Sequence, residues 1–430
     1  MVSLPLAGIR VIEMTEVWAG PMGTSLLGDL GAEVIRVESF PRASTTRPPV
    51  VPPSRRGFIE TKEAMERPWD ASATHNMANR NKLGIAMDLR STEGLAAFLD
   101  LARVCDVVVE GYSAGSMERL GIHYEAVRKL RPDIIFLSMP GWGVQGPYRG
   151  YVTLGSGLDA YTGHWGLRCY PDSDPTEAVS IFHADAIAAL AVAFAVISAL
   201  RYRNLTGKGQ WIDLSQAEAF LPNLARPIMD YSMNNRIATS VGNRSSTRAP
   251  QGVYQCRGED QWIAISVRDD ADWEALCHVT GDGEAARDPR FGDVLSRLKH
   301  QDELDIVIAR WTSQQDKFEA MHALQEAGVP AGAVLDDANL LENPHLLSRD
   351  FFQALDHPVA GTHQHPGYLW RISDTQKDIR LPPNTLGQDN HHVFQDLLGR
   401  SPEDVEALYG AGVIGNSYSP GADVDSRVTS

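Results

Sequence analysis

Short apolar runs alternate with amphipathic stretches through the first half of the chain. Ile9 to Met14 alternates like a strand, Gly20 and Pro21 open a helix with proline in its favoured early position, and Gly31 closes it. The run Glu33 Val34 Ile35 Arg36 Val37 Glu38 is a second strand, so the chain begins with a β-α-β unit. From Pro41 to about Asn76 the pattern lapses into prolines and scattered charge, which predicts a long surface excursion. Ile85 to Leu89 is the next strand, and Ser91 caps a helix with Leu95, Phe98, Leu99 and Ala102 on one face. Strands follow at Asp106 to Glu110 and Ile134 to Ser138. Strands alternating with helices predict a mostly parallel sheet with right-handed crossovers.

One stretch stands apart. Asp185 sits at the mouth of an apolar run, Ala186 to Leu200, broken only by Ser198 and stopped by Arg201, Tyr202 and Arg203. The run is shorter than the roughly 20 residues that cross a bilayer, so it predicts a buried helix with a charged entrance. Asp185 in its first turn would be favoured as an anion by unpaired N–H groups and the helix dipole, and would stay ionised at neutral pH. An N-cap role is the plain alternative.

After the strand Trp211 to Leu214, the composition turns polar near Asn234 to Pro250. A hairpin follows, Val253 to Cys256 with Trp262 to Val267, and then helical segments near 272–279, 303–311 and 317–327. The expected organisation is α/β: a large Rossmann-like domain with a parallel sheet over residues 1–225 and 346–412, a linker over 226–250, a small α+β domain over 251–345 and a disordered tail over 413–430.

Composition narrows the partners. A chain of 430 residues with 43% hydrophobic content is long enough for two domains, and a net charge of −16 argues against nucleic acid. Four dispersed cysteines suggest neither a zinc site nor a disulfide framework, and no signal-peptide pattern opens the chain, so a cytoplasmic protein with no membrane or metal partner is expected. Glu38 ends the second strand where a ribose-binding acid would sit. The first turn, Trp18 Ala19 Gly20 Pro21 Met22 Gly23, nevertheless lacks the dinucleotide fingerprint, and there is no phosphate-loop, GxSxG or HExxH motif.

Several stretches together resemble the class III coenzyme A transferases. They are Pro5 to Val11, Ala19 Gly20 Pro21, Leu30 to Glu38, Asn79 Arg80 Asn81 Lys82, Val109 to Tyr112, Arg119 Leu120 Gly121, Gly146 Pro147 Tyr148 and Thr206 to Gln210, in the family's order and over residues 5 to about 400. The resemblance implies an interlocked dimer and a catalytic Asp at the start of an apolar helix, where Asp185 falls. It implies mixed-anhydride and aspartyl-CoA thioester intermediates on that residue. CoA or acyl-CoA enters as substrate with a carboxylic acid as its partner, and no tightly bound cofactor is expected. The implied CoA-binding positions are Trp18, Ala19, Met87, Asp88, Leu89, Arg90, Gly111, Tyr112, Ser113 and Arg119, with Arg90 and Arg119 suited to phosphates and Tyr112 to adenine. Gln251 and Gly252 fall where the family carries a glycine loop over the Asp, here poor in glycine. A basic residue that often follows the second strand is replaced by Ser39.

The segment around Gln251 looks most like the benzylsuccinate and carnitine side of the family, with succinyl-CoA as a candidate donor and a bulky acceptor acid. A homodimer is expected, and a heteromer with a related subunit is the variant assembly. The competing reading is a 2-methylacyl-CoA racemase, which shares the fold and adds a proton-shuttling His. Leu154 to Asp159 holds no His, and His183 two residues before Asp185 reads more simply as a packed side chain.

Overall fold

The computed structural model describes residues 4–47, 62–177, 179, 181–375, 378–419 and 422. The chain forms two compact units: Met1–Thr162, Ser180–Met229 and Ser348–Ser430 make the first, and Gly163–Val179 with Asp230–Leu347 make the second.

The first unit is built on six strands: β1 (Arg10–Met14), β2 (Glu33–Glu38), β3 (Lys82–Ala86), β4 (Val107–Glu110), β5 (Ile135–Ser138) and β6 (Gln210–Asp213). They lie in the order β3-β2-β1-β4-β5-β6, and every neighbouring pair is parallel. The helices that bear on the site are α1 (Ala19–Asp29), α2 (Thr92–Val104), α3 (Gly155–Tyr161) and α4 (His183–Thr206). Ile12, Met14, Ile35, Val37 and Ile85 face a core closed by Phe98 and Leu101 of α2 and by Phe394, Val405 and Leu408. Val11, Val34, Val107, Val109 and Ile135 face the opposite core, closed by Leu26 and Leu27 of α1 and by Val192 and Val196 of α4. Burial on both faces is why these strands read as nearly continuous apolar runs. Strand order reverses between β1 and β4, which opens a crevice at their carboxyl ends.

Several expectations are corrected. The apolar run after Asp185 belongs to a 24-residue helix, long and apolar enough by count to cross a membrane, yet half of that window is buried in this unit. It is a core helix on one side only: Leu190, Phe194, Ile197 and Leu205 are exposed in the single chain. Asp185 lies in the first turn of α4, as expected, but as its third residue; the N-cap is Phe182, without a side-chain hydrogen bond, which sets aside the N-cap alternative for Asp185. The described ends of the 41–76 excursion are not superficial, because Arg47, Asp70 and His75 are fully buried; residues 48–61 lie outside the described residues. The strand expected at Ile85 to Leu89 ends at Ala86. Val413 and Ile414, placed in a disordered tail, are buried, and Ile414 bridges to Met87. The end of the expected tail, from 420 apart from 422, lies outside the described residues.

The second unit carries an antiparallel sheet of β7 (Gln251–Gln255), β8 (Trp262–Ser266) and β9 (Ala331–Ala333) in that order. Its core joins Ile263 and Ile265 to Trp273, Leu276, Leu304, Ile308 and Leu324 of the helices Asp270–Thr280, Gln301–Thr312 and Lys317–Glu326. β9 escaped the pattern because Ala331 Gly332 Ala333 has no alternation to show. Residues 163–179 join this unit rather than the large one, and Ala225–Asn234 is helical where a linker was expected.

Candidate active site

The turn from β1 into α1 is held from below by a buried charge cluster. Glu13 on β1 accepts the hydroxyls of Thr15 and Thr24, each at 2.7 Å, and meets the Lys82 ammonium at 2.7 Å and the Arg36 guanidinium. Burial pushes the Glu13 carboxyl up, but Lys82 and Arg36 outweigh it and hold the group at about 2. Lys82 also donates to the carbonyls of Pro21 and Ala78, at 2.7 and 3.2 Å, which ties the first turn of α1 to β3. Above the cluster the backbone is strained: Val17 is a β-branched residue at φ +65°. Gly20 is required next, because a Cβ there would lie 2.4 Å from the Cβ of Thr15.

This turn delivers the Ala19 N–H to the carboxylate of Asp185, which also takes its own N–H in the first turn of α4. Two helix N-termini therefore converge on one carboxylate. Burial still prevails. Asp185 is 6% exposed, and burial lifts its pKa to about 6 against the two N–H groups. Burial thus outweighs the pull of the helix termini, and the carboxyl is nevertheless mostly ionised at pH 7, as the sequence suggested. Oδ2 is buried and has no hydrogen-bond partner among the described residues. Over it lies Gly155, where a Cβ would come within 2.1 Å of Oδ2. Trp18 packs edge to face on Phe182, with ring centroids 5.4 Å apart, and steadies the entry to α4.

Asp185 opens into a cavity of about 630 Å³ at the carboxyl ends of the strands. Of its lining, Thr15, Glu16, Val17, Ala19 and Gly20 follow β1, Gly111 to Ala114 follow β4, Met139 and Gly141 follow β5, and Gln216 follows β6. That is the switch-point crevice of an open α/β sheet, of a size suited to a small-molecule ligand. Beneath its floor, Glu110 accepts the Tyr112 N–H at 3.1 Å; burial pushes this carboxyl up to about 7 against hydrogen bonds from Ser138 and Tyr112.

A sequence profile described as CoA-transferase family III matches residues 6–390. The chain belongs to that family. The transferase is 32% identical over 410 residues to the succinyl-CoA–D-citramalate CoA-transferase of Chloroflexus aurantiacus, covering 95% of this chain and 98% of that protein. It is 29% identical over 406 residues to the alpha subunit of succinyl-CoA–L-malate CoA-transferase from the same organism, covering 94% and 91%. Among solved structures, a CAIB/BAIF family protein from Brucella suis superposes with a TM-score of 0.82 at 28% identity over 92% of this chain and 100% of that one. The protein is a CoA-transferase, an enzyme whose substrates are CoA thioesters.

The transferase gathers some predicted residues and leaves others apart. Asp185, Ala19, Gly111, Tyr112, Ser113 and Arg119 line the cavity, and Trp18 stands beside it on Phe182. Tyr112 both lines the cavity and packs on the core. Met87 is a core residue at 1% exposure, and neither it nor Asp88, Leu89 and Arg90 lines the cavity; Arg90 is exposed and paired to Asp88 at 3.1 Å. Gln251 and Gly252 belong to β7 of the second unit. Glu38 is engaged by Arg47 at 2.9 Å and by Asn384 at 3.2 Å, a structural cluster in place of a ribose contact. His183 is exposed and does not line the cavity. The sequence reading missed Glu16, Arg42 and Gly155. Glu16 follows an apolar strand and was visible as such, whereas Arg42 and Gly155 reach the site only through folding.

Gly155→Ala tests the packing over the carboxylate. The new methyl must displace Asp185 or α3, so kcat is expected to fall about tenfold or more with an unchanged melting curve to within a few degrees. Wild-type kcat in this variant would show that Oδ2 does not need the space.

Proposed function

We propose that this transferase moves CoA from an acyl-CoA, with succinyl-CoA as the first candidate donor, to a carboxylic acid through covalent intermediates on Asp185. The observation that carries the reading is the Asp185 carboxylate itself, buried at the switch point, with one oxygen unpartnered and backbone N–H groups on the carboxyl. A carboxylate oxygen attacks the donor thioester carbonyl, CoA thiolate leaves, and a mixed anhydride forms. The thiolate then attacks the aspartyl carbonyl, the donor acid departs as carboxylate, and Asp185 is left as a CoA thioester. The acceptor carboxylate runs the sequence in reverse and regenerates the aspartate. The Ala19 N–H is a natural donor to oxygen charge that develops at the aspartyl carbonyl.

Two named relatives pair succinyl-CoA with a hydroxydicarboxylic acid, which supports succinyl-CoA as donor. A racemase pair is not favoured, since no imidazole lines the cavity among the described residues. The test is to incubate the enzyme with succinyl-CoA and a panel of acids and to follow new CoA thioesters by mass. Formation of an acceptor thioester with release of free succinate supports the reading; α-carbon deuterium exchange in a 2-methylacyl-CoA without CoA transfer contradicts it.

We further propose a homodimer, on the strength of the exposed side of α4, where Phe194 is 74% and Leu205 is 66% exposed. A single soluble chain seldom leaves such a row uncovered. Light scattering is expected to give twice the chain mass, and Phe194→Glu is expected to shift it toward the single chain. A wild-type mass of one chain contradicts the proposal.

A further inference from the structure

Four charged residues line the Asp185 cavity among the described residues: Glu16, Arg42, Arg119 and Asp185. The two guanidinium groups are held differently. Arg119 donates to the Ser116 hydroxyl at 2.9 Å, a neutral partner that leaves its charge available. Arg42 donates to the Glu16 carboxylate at 2.8 Å, so its charge is offset by an acid that lines the same cavity. Both members of this pair are partly open, with side chains 38% and 22% exposed. Arg42 stands three residues beyond Ser39, where the sequence shows no basic residue, and its own N–H is bonded to the Ser39 hydroxyl at 3.3 Å.

We propose that Arg42 is an anion-binding residue of the active site, and that Glu16 occupies it until an anionic oxygen of the substrate takes its place. The inference rests on the CoA-transferase reading and adds a binding residue with a built-in competitor. A guanidinium suits a phosphate or a carboxylate equally in its planar fork. The ligand oxygen is therefore a CoA phosphate or the distal carboxylate of a dicarboxylic acid, and Glu16 is a resident carboxylate that either must displace. Glu16 thereby lowers affinity for the ligand while keeping the Arg42 side chain extended into the cavity.

The consequence is an unusual direction of effect. Arg42→Gln is expected to weaken ligand binding about tenfold or more, whereas Glu16→Gln is expected to tighten it about three- to tenfold. The double variant is expected to match Arg42→Gln, because without the guanidinium Glu16 has nothing to withhold. A salt bridge with a purely structural role would give losses in both single variants, and melting temperatures measured alongside show whether either variant is damaged.

Calorimetric titrations with CoA, pantetheine and succinate, on the wild type and the three variants, decide the matter. An Arg42 effect confined to CoA assigns the anion to a phosphate, and one that appears with succinate assigns it to a carboxylate; either supports the proposal. Unchanged affinities in Arg42→Gln, or weaker binding in Glu16→Gln, overturn it. Failure of the wild type to bind any of the three would instead contradict the functional reading on which it rests.

Discussion

The Asp185→Asn enzyme is expected to transfer no detectable CoA and yet to melt at a higher temperature than the wild type at pH 7.5. The loss follows from removing the nucleophile, and a drop of at least about a thousandfold in kcat is expected. The gain follows from linkage. In the unfolded chain the carboxyl has its ordinary value of 3.8, and burial raises it to about 6 in the fold. A group raised in this way contributes stability that is fully present below 3.8 and is lost as pH rises through 6. At neutral pH the ionised carboxylate therefore costs the fold up to about 3 kcal/mol, which a neutral amide of the same shape removes. The stability difference between the two enzymes is expected to stay nearly constant from pH 7.5 to about 7 and to shrink as pH falls through 6 toward 4. Wild-type activity has the opposite profile and should decline as pH falls through about 6, where the nucleophile becomes protonated. Thermal melts of both proteins across this range check the sign directly; an Asn variant that melts lower at pH 7.5 contradicts the burial account.

Lys82→Met is expected to be the most damaging substitution away from the cavity. Lys82, Glu13 and Arg36 are all buried, and Lys82 ties together the Glu13 carboxylate and the carbonyls of Pro21 and Ala78. Removing Lys82 leaves the buried Glu13 carboxylate with Arg36 as its remaining cation and the carbonyls of Pro21 and Ala78 without their donor, at a cost of up to about 3–5 kcal/mol. Because the pair underlies the turn that carries the Ala19 N–H, kcat should fall in whatever protein still folds. Replacing both partners, in Glu13→Gln with Lys82→Met, is expected to recover part of the stability without restoring activity. Glu13 has its own pH window: its carboxyl is depressed from 4.5 to about 2, so its contribution is present above 4.5 and is lost as pH falls through 2. Urea unfolding at pH 7 measures the single and double variants, and a Lys82→Met protein as stable as wild type would show that the cluster does not hold the turn.

What was legible in the sequence follows from range of interaction. β2 was read to its ends because Glu33 to Glu38 is a short run rich in valine and isoleucine, bounded by Gly31 and Pro41, and Ser91 was read as a cap because its partner, the Gly94 N–H at 2.9 Å, is three residues away. Asp185 stood out because an acid before an apolar helix is a local signal, but that signal left an N-cap role open, and the catalytic reading came from the family resemblance. The burial that raises its pKa was not legible, since it depends on Gly155 and on the β1–α1 turn brought over it. Nor could an apolar run reveal that only one side of α4 is covered within the chain. Asn79 to Lys82 was quoted as a family feature without a role; its role is structural, through Lys82 on Glu13 and through Arg80 on Asp29 at 2.7 Å. Arg42 was invisible because its place in the cavity is set by the chain's return past β1 after β2, not by any spacing around it.

The most direct measurement is the intact mass of the enzyme after incubation with succinyl-CoA, with hydroxylamine or borohydride added to trap an activated aspartyl ester, followed by mapping of the modified peptide. The account predicts a donor-dependent mass change confined to the peptide containing Asp185 and absent from Asp185→Asn. Turnover of succinyl-CoA with an acceptor acid and no trapped modification at Asp185, or a modification at another residue, would contradict it.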